Sequence, residues 1–95
     1  MERVPGNVRR REAFAGPPEL ARFFKGERLE TMPSKASDRL AVLTYLAGLF
    51  ERDRAYTEDE VDRVLGRVDD DFATLRRYLV DARLLTRARN EYRRV

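Results

Sequence analysis

Residues 56–94 read YTEDEVDRVLGRVDDDFATLRRYLVDARLLTRARNEYRR, and this stretch decides the fold. Thr57 and Glu60 have the spacing of a capping box, in which each side chain accepts a hydrogen bond from the other residue's backbone N–H. Apolar residues follow at three- and four-residue steps, which predicts a helix that begins at this box and ends near Gly66. Its apolar face consists of Val61, Val64, Leu65 and Val68.

A further helix is predicted from Asp71 to Ala82, because aspartates at 69–71 are typical of a helix start, where they cap backbone N–H groups. Its inward side chains are Phe72, Leu75, Leu79 and Ala82, and its outward ones are Thr74, Arg77, Tyr78 and Asp81. Residues 84–87 and 91–94 then predict two short strands around a tight turn, in which Asn90 tolerates a positive φ.

The first half of the chain predicts an arm and two helices. Proline, glycine and the cluster Arg9-Arg10-Arg11 predict a flexible basic arm over residues 1–18. Residues 19–25 predict a short helix that Gly26 ends, with Leu20, Phe23 and Phe24 on one side. Ser37 to Phe50 predicts a core helix that Ser37 or Asp38 caps, and its inward residues are Leu40, Leu43, Leu46, Ala47 and Phe50.

The order of these elements is that of a winged helix-turn-helix: helix, extended link at Ala55-Tyr56, helix, turn, helix and hairpin. We therefore predict one domain over residues 19–95, mainly α-helical with a small β-hairpin and preceded by a short extra N-terminal helix. In such a fold the third helix enters the major groove of DNA and the hairpin touches the backbone.

The composition of the 95 residues excludes several kinds of chemistry. Cysteine and histidine are absent, which removes disulfides, thiol nucleophiles, cysteine zinc sites and the commonest general base. We therefore expect a protein that is not an enzyme and holds no cofactor and no metal. No run of about 18 apolar residues and no secretory leader pattern occurs, so a cytoplasmic location without membrane association is expected.

Charge is balanced in total but not in distribution. The chain has 20 Lys+Arg and 17 Asp+Glu, a net charge of +3. Residues 76–95 contain seven arginines and two acids, a net +5, whereas residues 51–71 contain four arginines and nine acids, a net −5. Because phosphate is attracted by the first region and repelled by the second, only one side of the molecule can face nucleic acid.

Four segments resemble a known family over residues 20–93: LARFFKGERL at 20–29, PSK at 33–35, YTEDEV at 56–61, and Asp71 with LRRYLVD at 75–81. The sequence is similar to the bacterial domain-of-unknown-function family 2087 (DUF2087). It departs from that family at Asp38, commonly a basic residue there, at Arg83, commonly glycine, and at Arg93, often tryptophan. The resemblance implies a small winged-helix module with a transcription-related role, sometimes joined to regulator-type DNA-binding domains.

The candidate DNA-binding residues lie mainly on the third predicted helix and the hairpin. Arg77 and Thr74 are predicted to reach groove edges, with Tyr78 beside them on the outward face. The remaining candidates are predicted to contact phosphate: Arg87, Arg89 and Arg93 on the hairpin, and Lys35 near the start of the core helix, which is either a surface residue or a phosphate contact.

Each candidate has a structural alternative. Arg76 and Arg77 can pair with Asp69, Asp70 or Asp81, and Arg76, beside Leu75, is the one expected to serve the fold. The hairpin arginines can be solvated charges that protect strand edges, and the arm's arginines either reach a minor groove or are disordered. The acids at 69–71, with Glu58 and Glu60, are better explained as helix caps than as a magnesium site.

These observations favour a transcriptional regulator that binds double-stranded DNA, as a homodimer or together with a larger transcription protein. The alternative is a protein–protein interaction module whose winged-helix face docks an acidic partner and whose acidic helix docks a basic one. Fold does not separate the two, since winged helices serve both purposes. RNA binding is a weaker third hypothesis, because the sequence predicts no exposed pair of aromatic residues on a sheet on which RNA bases could stack.

Overall fold

The computed structural model describes residues 14–95, which form helices and two small antiparallel sheets. A 3-10 helix spans Pro18–Phe23, and the α-helices are α1 (Ala36–Ala47), α2 (Glu58–Leu65) and α3 (Phe72–Asp81). The strands are β1 (Phe24–Lys25), β2 (Arg28–Leu29), β3 (Tyr56–Thr57), β4 (Leu85–Ala88) and β5 (Glu91–Arg94). Within residues 14–95, no helix has the length and apolar character needed to cross a bilayer.

Strand β5 is the centre of the larger sheet. It pairs antiparallel with β4 in the predicted hairpin and with β3 on its other side. Tyr92 of β5 therefore lies between Arg87 of β4 and Tyr56 of β3. Tyr56, predicted only as part of an extended link, is a strand residue because its backbone supplies partners for an edge of β5 that would otherwise be unpaired.

The predicted helix over residues 19–25 is wrong in its last two residues. The chain leaves the 3-10 helix at Phe24 and forms a β-hairpin, in which Phe24 pairs with Leu29 and Lys25 pairs with Arg28. Gly26 has a φ of 61°, which glycine adopts without a Cβ clash. It therefore makes the tight turn of this hairpin rather than ending a helix.

An aromatic cluster holds the start of the described chain to α1. Phe14 stacks on Phe24 with ring centroids 4.3 Å apart, and Tyr45 meets these rings edge-on at 5.0 and 5.7 Å. Burial, reinforced by the charge of Glu27, raises the pKa of the Tyr45 hydroxyl. Phe14 packs on the domain although the sequence suggests an arm there, and the cluster Arg9-Arg10-Arg11 lies outside the described residues.

Helix α1 buries a face slightly different from the predicted one. Leu43, Leu46, Ala47 and Phe50 are buried as predicted, but Leu40 is 50 % exposed and Val42 is buried instead. At 100° per residue, Val42 and Leu46 fall in one row with Phe50, while Leu40 lies about a quarter turn from the centre of that face.

The predicted side-chain cap of α1 is also wrong. The helix begins after Lys35, which supplies no side-chain cap, and Ser37 and Asp38 already lie in the first turn. The Asp38 carboxylate instead pairs with Arg22 at 3.2 Å, so it ties α1 to the 3-10 helix.

The predicted capping box of α2 is confirmed. Thr57 Oγ1 accepts the Glu60 N–H at 3.1 Å, and Glu60 Oε1 accepts the Thr57 N–H at 2.9 Å. The predicted apolar face is confirmed too, since Val61, Leu65 and Val68 are buried and Val64 packs against the core.

The turn between α2 and α3 uses its aspartates differently from the prediction. Asp71 precedes α3, but its side chain makes no capping hydrogen bond. Asp69 instead accepts the Asp71 N–H at 3.0 Å within the turn, and Asp70 pairs with Arg28 of β2 at 2.8 Å. These aspartates therefore shape and anchor the turn.

Helix α3 ends in a Schellman motif built on arginine. The Leu84 N–H donates to the Leu79 carbonyl and the Arg83 N–H donates to the Val80 carbonyl, both at 2.9 Å. Arg83 has a φ of 62°, in the left-handed region where a Cβ clashes with the following carbonyl. Position 83 is therefore one where glycine is favoured.

The two-residue turn of the β4–β5 hairpin is also strained at an arginine. Arg89 has a φ of 60°, whereas Asn90, which the sequence suggests for this conformation, does not have a positive φ. Two-residue hairpin turns need a positive φ at their first position to match the strand twist, and the register places Arg89 there.

We expect Arg83→Gly to raise the free energy of unfolding by about 1 kcal/mol, because it removes the left-handed Cβ clash. Arg83→Ala is the control, since it removes the same charge but keeps the Cβ. Urea denaturation followed by circular dichroism measures both. Equal stabilisation by the two variants would mean that the charge, and not the backbone, is responsible.

Stability should also depend on the charge of Glu60. The hydrogen bond from the Thr57 N–H holds the pKa of Glu60 below its usual 4.5, and Arg54 adds to the effect. The stabilisation is therefore complete above the unfolded-state pKa and is lost as the pH falls through the lower folded-state pKa. In urea denaturation between about pH 7 and about pH 3, the advantage of wild type over Glu60→Gln should shrink on acidification. A constant difference would contradict this assignment.

Candidate nucleic-acid interface

A groove of about 220 Å³ lies between α3 and the β4–β5 hairpin, with the start of α2 at one end. Helix α3 lines it because α2 and the turn at residues 66–71 hold α3 against the sheet. The hairpin lines it because β5 is anchored in the middle of that sheet. Its walls are formed by Glu58, Arg76, Arg77, Val80, Asp81, Arg87 and Tyr92.

A hydrogen-bonded network supports the floor of this groove. The hydroxyl of Tyr92, a residue only 3 % exposed, donates to Glu58 at 3.0 Å. Glu58 also lies 3.9 Å from Arg76 Nε, and Arg76 donates to Asp62 through its terminal nitrogen. The network joins β5, α2 and α3 through side chains of opposite charge.

The network shifts the pKa values of two of its members. Burial, together with the hydrogen bond to Glu58, raises the pKa of the Tyr92 hydroxyl. For Arg76, burial opposes the charged form, but the hydrogen bond and charge of Asp62 outweigh it and raise the pKa. Both residues thus keep their protons at neutral pH, and Arg76 remains a cation held by the protein's own acids.

Adjacent arginines on α3 have different surroundings. Arg76 is only 19 % exposed and pairs with Asp62. This agrees with the prediction that Arg76 stabilises the fold. Its partners are Asp62 and Glu58 on α2 rather than the aspartates at 69, 70 or 81. Arg77 is exposed in the groove and forms no ion pair with any residue in the described range 14–95.

The other two predicted residues of α3 are less accessible than expected. Thr74 and Tyr78 are half-buried rather than fully outward. Tyr78 packs against the core, and the guanidinium of Arg39 lies 4.4 Å from the centroid of its ring. Tyr78 therefore connects α3 to α1 and is not among the residues that line the groove with Arg77.

Strand alternation separates the hairpin arginines. Arg87 lies opposite Tyr92, on the face that looks into the groove, with its guanidinium 5.8 Å from the centroid of the Tyr92 ring. Arg93, the next residue after Tyr92, is on the other face and approaches Glu91 at 4.0 Å. Arg89 lies at the turn. The structure thus brings Arg77 and Arg87 together but not Arg93.

Lys35 lies outside this groove. It is exposed just before α1 and lines a separate depression of about 410 Å³ that also contains Phe23 and Met32. One helical turn later, Arg39 is the cation that reaches α3 through Tyr78. Arg39 was not among the residues predicted from the sequence, because its partner Tyr78 lies on another helix, 39 residues further along the chain.

Within residues 14–95 the acidic side chains do not assemble into a metal site. No three carboxylates are grouped as ligands in this part of the chain. Among the candidates, Glu60 belongs to the capping box, Asp69 to the turn and Asp70 to an ion pair.

The structure is a small domain of helices and two antiparallel sheets, with a groove between α3 and the hairpin that three arginines and two acids line. A family model described as "Uncharacterized protein conserved in bacteria (DUF2087)" matches residues 28–94. The chain therefore belongs to this bacterial family, as its resemblance predicted. Comparison with curated proteins and with solved structures found no match.

The neighbouring arginines offer a direct stability test. We expect Arg76→Met to lower the free energy of unfolding by about 1–3 kcal/mol, because Asp62, itself 21 % exposed, loses its partner. Arg77→Met makes the same change one residue along, at an exposed side chain, and should alter stability by less than about 0.5 kcal/mol. Thermal and urea denaturation compare them. Equal changes in the free energy of unfolding would contradict the conclusion that Arg76 is ion-paired and Arg77 is not.

Proposed function

We propose that this protein is a winged-helix module that binds double-stranded DNA without catalysis and acts as a transcriptional regulator. In this proposal α3 enters the major groove and the β4–β5 hairpin lies against the phosphates. The observation that carries the proposal is the pair Arg77 and Arg87, which line one groove from α3 and from the hairpin.

The topology supports this reading. The order α1–β3–α2–α3–β4–β5, with β5 between β3 and β4, is what a winged helix-turn-helix requires. The connection between α2 and α3 is a short turn, residues 66–71, that begins with glycine.

Internal charge pairing also supports it. Glu58 and Asp62 of α2 would repel phosphate, but both pair with Arg76 at the floor of the groove. Arg77 and Arg87 face solvent without such partners among residues 14–95. Arg77 and Arg87 are therefore cations of this groove that a ligand can reach, and Asp81 on its wall is the acid that opposes them.

The proposed roles differ among the candidate residues. Arg77 contacts a guanine edge or a phosphate, with Thr74 one turn before it. Arg87 and Arg89 contact phosphates, which provides affinity without sequence information. The last three contribute less: Arg93 on the far face of the hairpin, Tyr78 beneath Arg39, and Lys35 outside the groove.

Charge reversal at two sites tests the proposal. We expect Arg77→Glu with Arg89→Glu to weaken binding of a mixed-sequence duplex at least about tenfold at about 50 mM salt. The slope of log affinity against log salt should fall by about 2, since each phosphate contact contributes about 0.9. Fluorescence anisotropy of the labelled duplex between about 50 and 200 mM salt measures both quantities.

The matched control is Arg63→Glu with Arg67→Glu, the same charge change at two exposed arginines that line a different depression. An equal loss of duplex affinity in the control would mean that net charge alone causes the effect. An unchanged affinity in the Arg77→Glu, Arg89→Glu variant would mean that α3 and the hairpin do not bind DNA. Absence of binding by the wild type at the lowest salt would overturn the DNA proposal in favour of a protein partner.

A further inference from the structure

The last residue of α3 is an exposed acid, Asp81, which forms no ion pair with any residue in the range 14–95. A carboxylate at the C-terminal end of a helix faces the negative end of the helix dipole, so an acid at this position lowers stability. The last turn of α3 contains no basic residue that would offset this effect. Within the described residues, the fold therefore supplies no structural role for the charge of Asp81.

Arg77 and Asp81 lie on the same exposed side of α3. Together with Ala73 they are the exposed residues of this helix, and both line the groove between α3 and the hairpin. Opposite charges four residues apart on a helix are close enough to pair, yet no ion pair joins these two. A cation and an anion are thus presented side by side to a ligand.

We propose that Asp81 is a specificity-determining residue of the DNA-binding surface and recognises a cytosine close to a guanine that Arg77 recognises. The Asp81 carboxylate accepts a hydrogen bond from the cytosine N4 amino group, and the Arg77 guanidinium donates to guanine O6 and N7. The inference rests on the proposed binding of DNA by α3, and it adds the bases that this helix prefers.

The opposite charges of the pair fit base edges better than the DNA backbone. A phosphate presents only acceptor oxygens and a negative charge, so it suits Arg77 but repels Asp81. The major-groove edge of a G·C pair presents two acceptors on guanine and an amino donor on cytosine. Because this edge offers a partner to each side chain, both charges can be satisfied in one complex.

The group beside the amino donor favours cytosine over adenine. Adenine N6 also donates in the major groove, but the acceptor N7 lies next to it and repels a carboxylate. Cytosine has no acceptor on this edge. An asparagine side chain, which has both a donor and an acceptor, matches N6 and N7 of adenine instead. Replacing Asp81 with asparagine should therefore change the preferred base from cytosine to adenine.

Helix geometry limits how far apart the two bases lie. Residues 77 and 81 are about 6 Å apart along the axis of α3, because each residue of a helix rises about 1.5 Å. Successive base pairs are about 3.4 Å apart. The cytosine is therefore expected within about two base pairs of the guanine.

Selection of duplexes with about eight randomised base pairs, with the full chain at about 50 mM salt, tests the inference. The wild type should enrich guanine with a cytosine within about two base pairs. Asp81→Asn should lower the cytosine preference at least about fivefold and enrich adenine at that position. By fluorescence anisotropy it should also bind a mixed-sequence duplex about two- to fivefold more tightly, because one charge that repels phosphate is removed.

The matched control is Asp53→Asn, the same change at an exposed aspartate between α1 and β3 that does not line the groove. Asp53 has a φ of 61°, a conformation that asparagine also tolerates. The control should select the same bases as the wild type. Circular dichroism checks that both variants fold.

The outcomes separate this inference from the proposed function. If the wild type binds duplexes without a base preference, or if Asp81→Asn selects the same bases as the wild type, the inference is overturned and DNA binding stands. An equal change of preference in Asp53→Asn would overturn the role assigned to position 81. If the wild type binds no duplex, both the inference and the proposed function are overturned.

Discussion

The ion-paired network from Tyr92 through Glu58 and Arg76 to Asp62 holds the parts of this domain in one arrangement. Strand β5 is otherwise held to the helical part of the domain by apolar contacts, which do not specify direction, and by the hydrogen bond from Arg94 to the Phe50 carbonyl. The hydrogen bond from the Tyr92 hydroxyl to Glu58 positions the central strand against the start of α2. Arg76 then ties α2 to α3 through Glu58, which is exposed, and Asp62, which is half-buried, and these ion pairs help to orient α3 relative to the hairpin.

Because of this network, the net charge of residues 76–95 does not show which of their arginines are free to contact a ligand. Of the seven arginines in residues 76–95, Arg76 is held by α2 and Arg94 donates to the Phe50 carbonyl at 3.3 Å. Arg83 ends α3, and Arg93 lies on the far side of the hairpin. What remains along the groove is Arg77 and Arg87, with Arg89 at the turn. The cations that carry the proposed function are a minority of the basic residues, selected by geometry.

Two arginines have backbone conformations that glycine would adopt more easily. At position 83 the family resemblance implies a common glycine, and the structure supplies the physical reason, since that residue closes a Schellman motif with a φ of 62°. Arg89 carries the positive φ of the hairpin turn. Glycine at position 89 would relieve this backbone strain, but it would also remove the long cationic side chain that the proposed phosphate contact needs.

The structural features that depend on neighbouring residues could be predicted from the sequence. The capping box of α2, the buried face of α2 and the β4–β5 hairpin follow from residue spacing, because caps and helical periodicity act over a few residues. The family follows from the resemblance of four sequence segments. The predicted helix over residues 19–25 was wrong in its last two residues, since the spacing of Leu20, Phe23 and Phe24 suits a helix while the turn at Gly26 requires a hairpin.

Only the tertiary structure decided which long-range partners each side chain finds. Asp62, more than ten residues from Arg76 in sequence, captures that arginine instead of the nearer aspartates. Strand alternation and pairing with β5 place Arg87 in the groove and Arg93 outside it, and packing exposes Leu40 on α1 while burying Val42. Residue spacing determines which face of a helix or strand is apolar. Contacts between the elements determine whether residues at the border of that face are buried, and which charged side chains are paired.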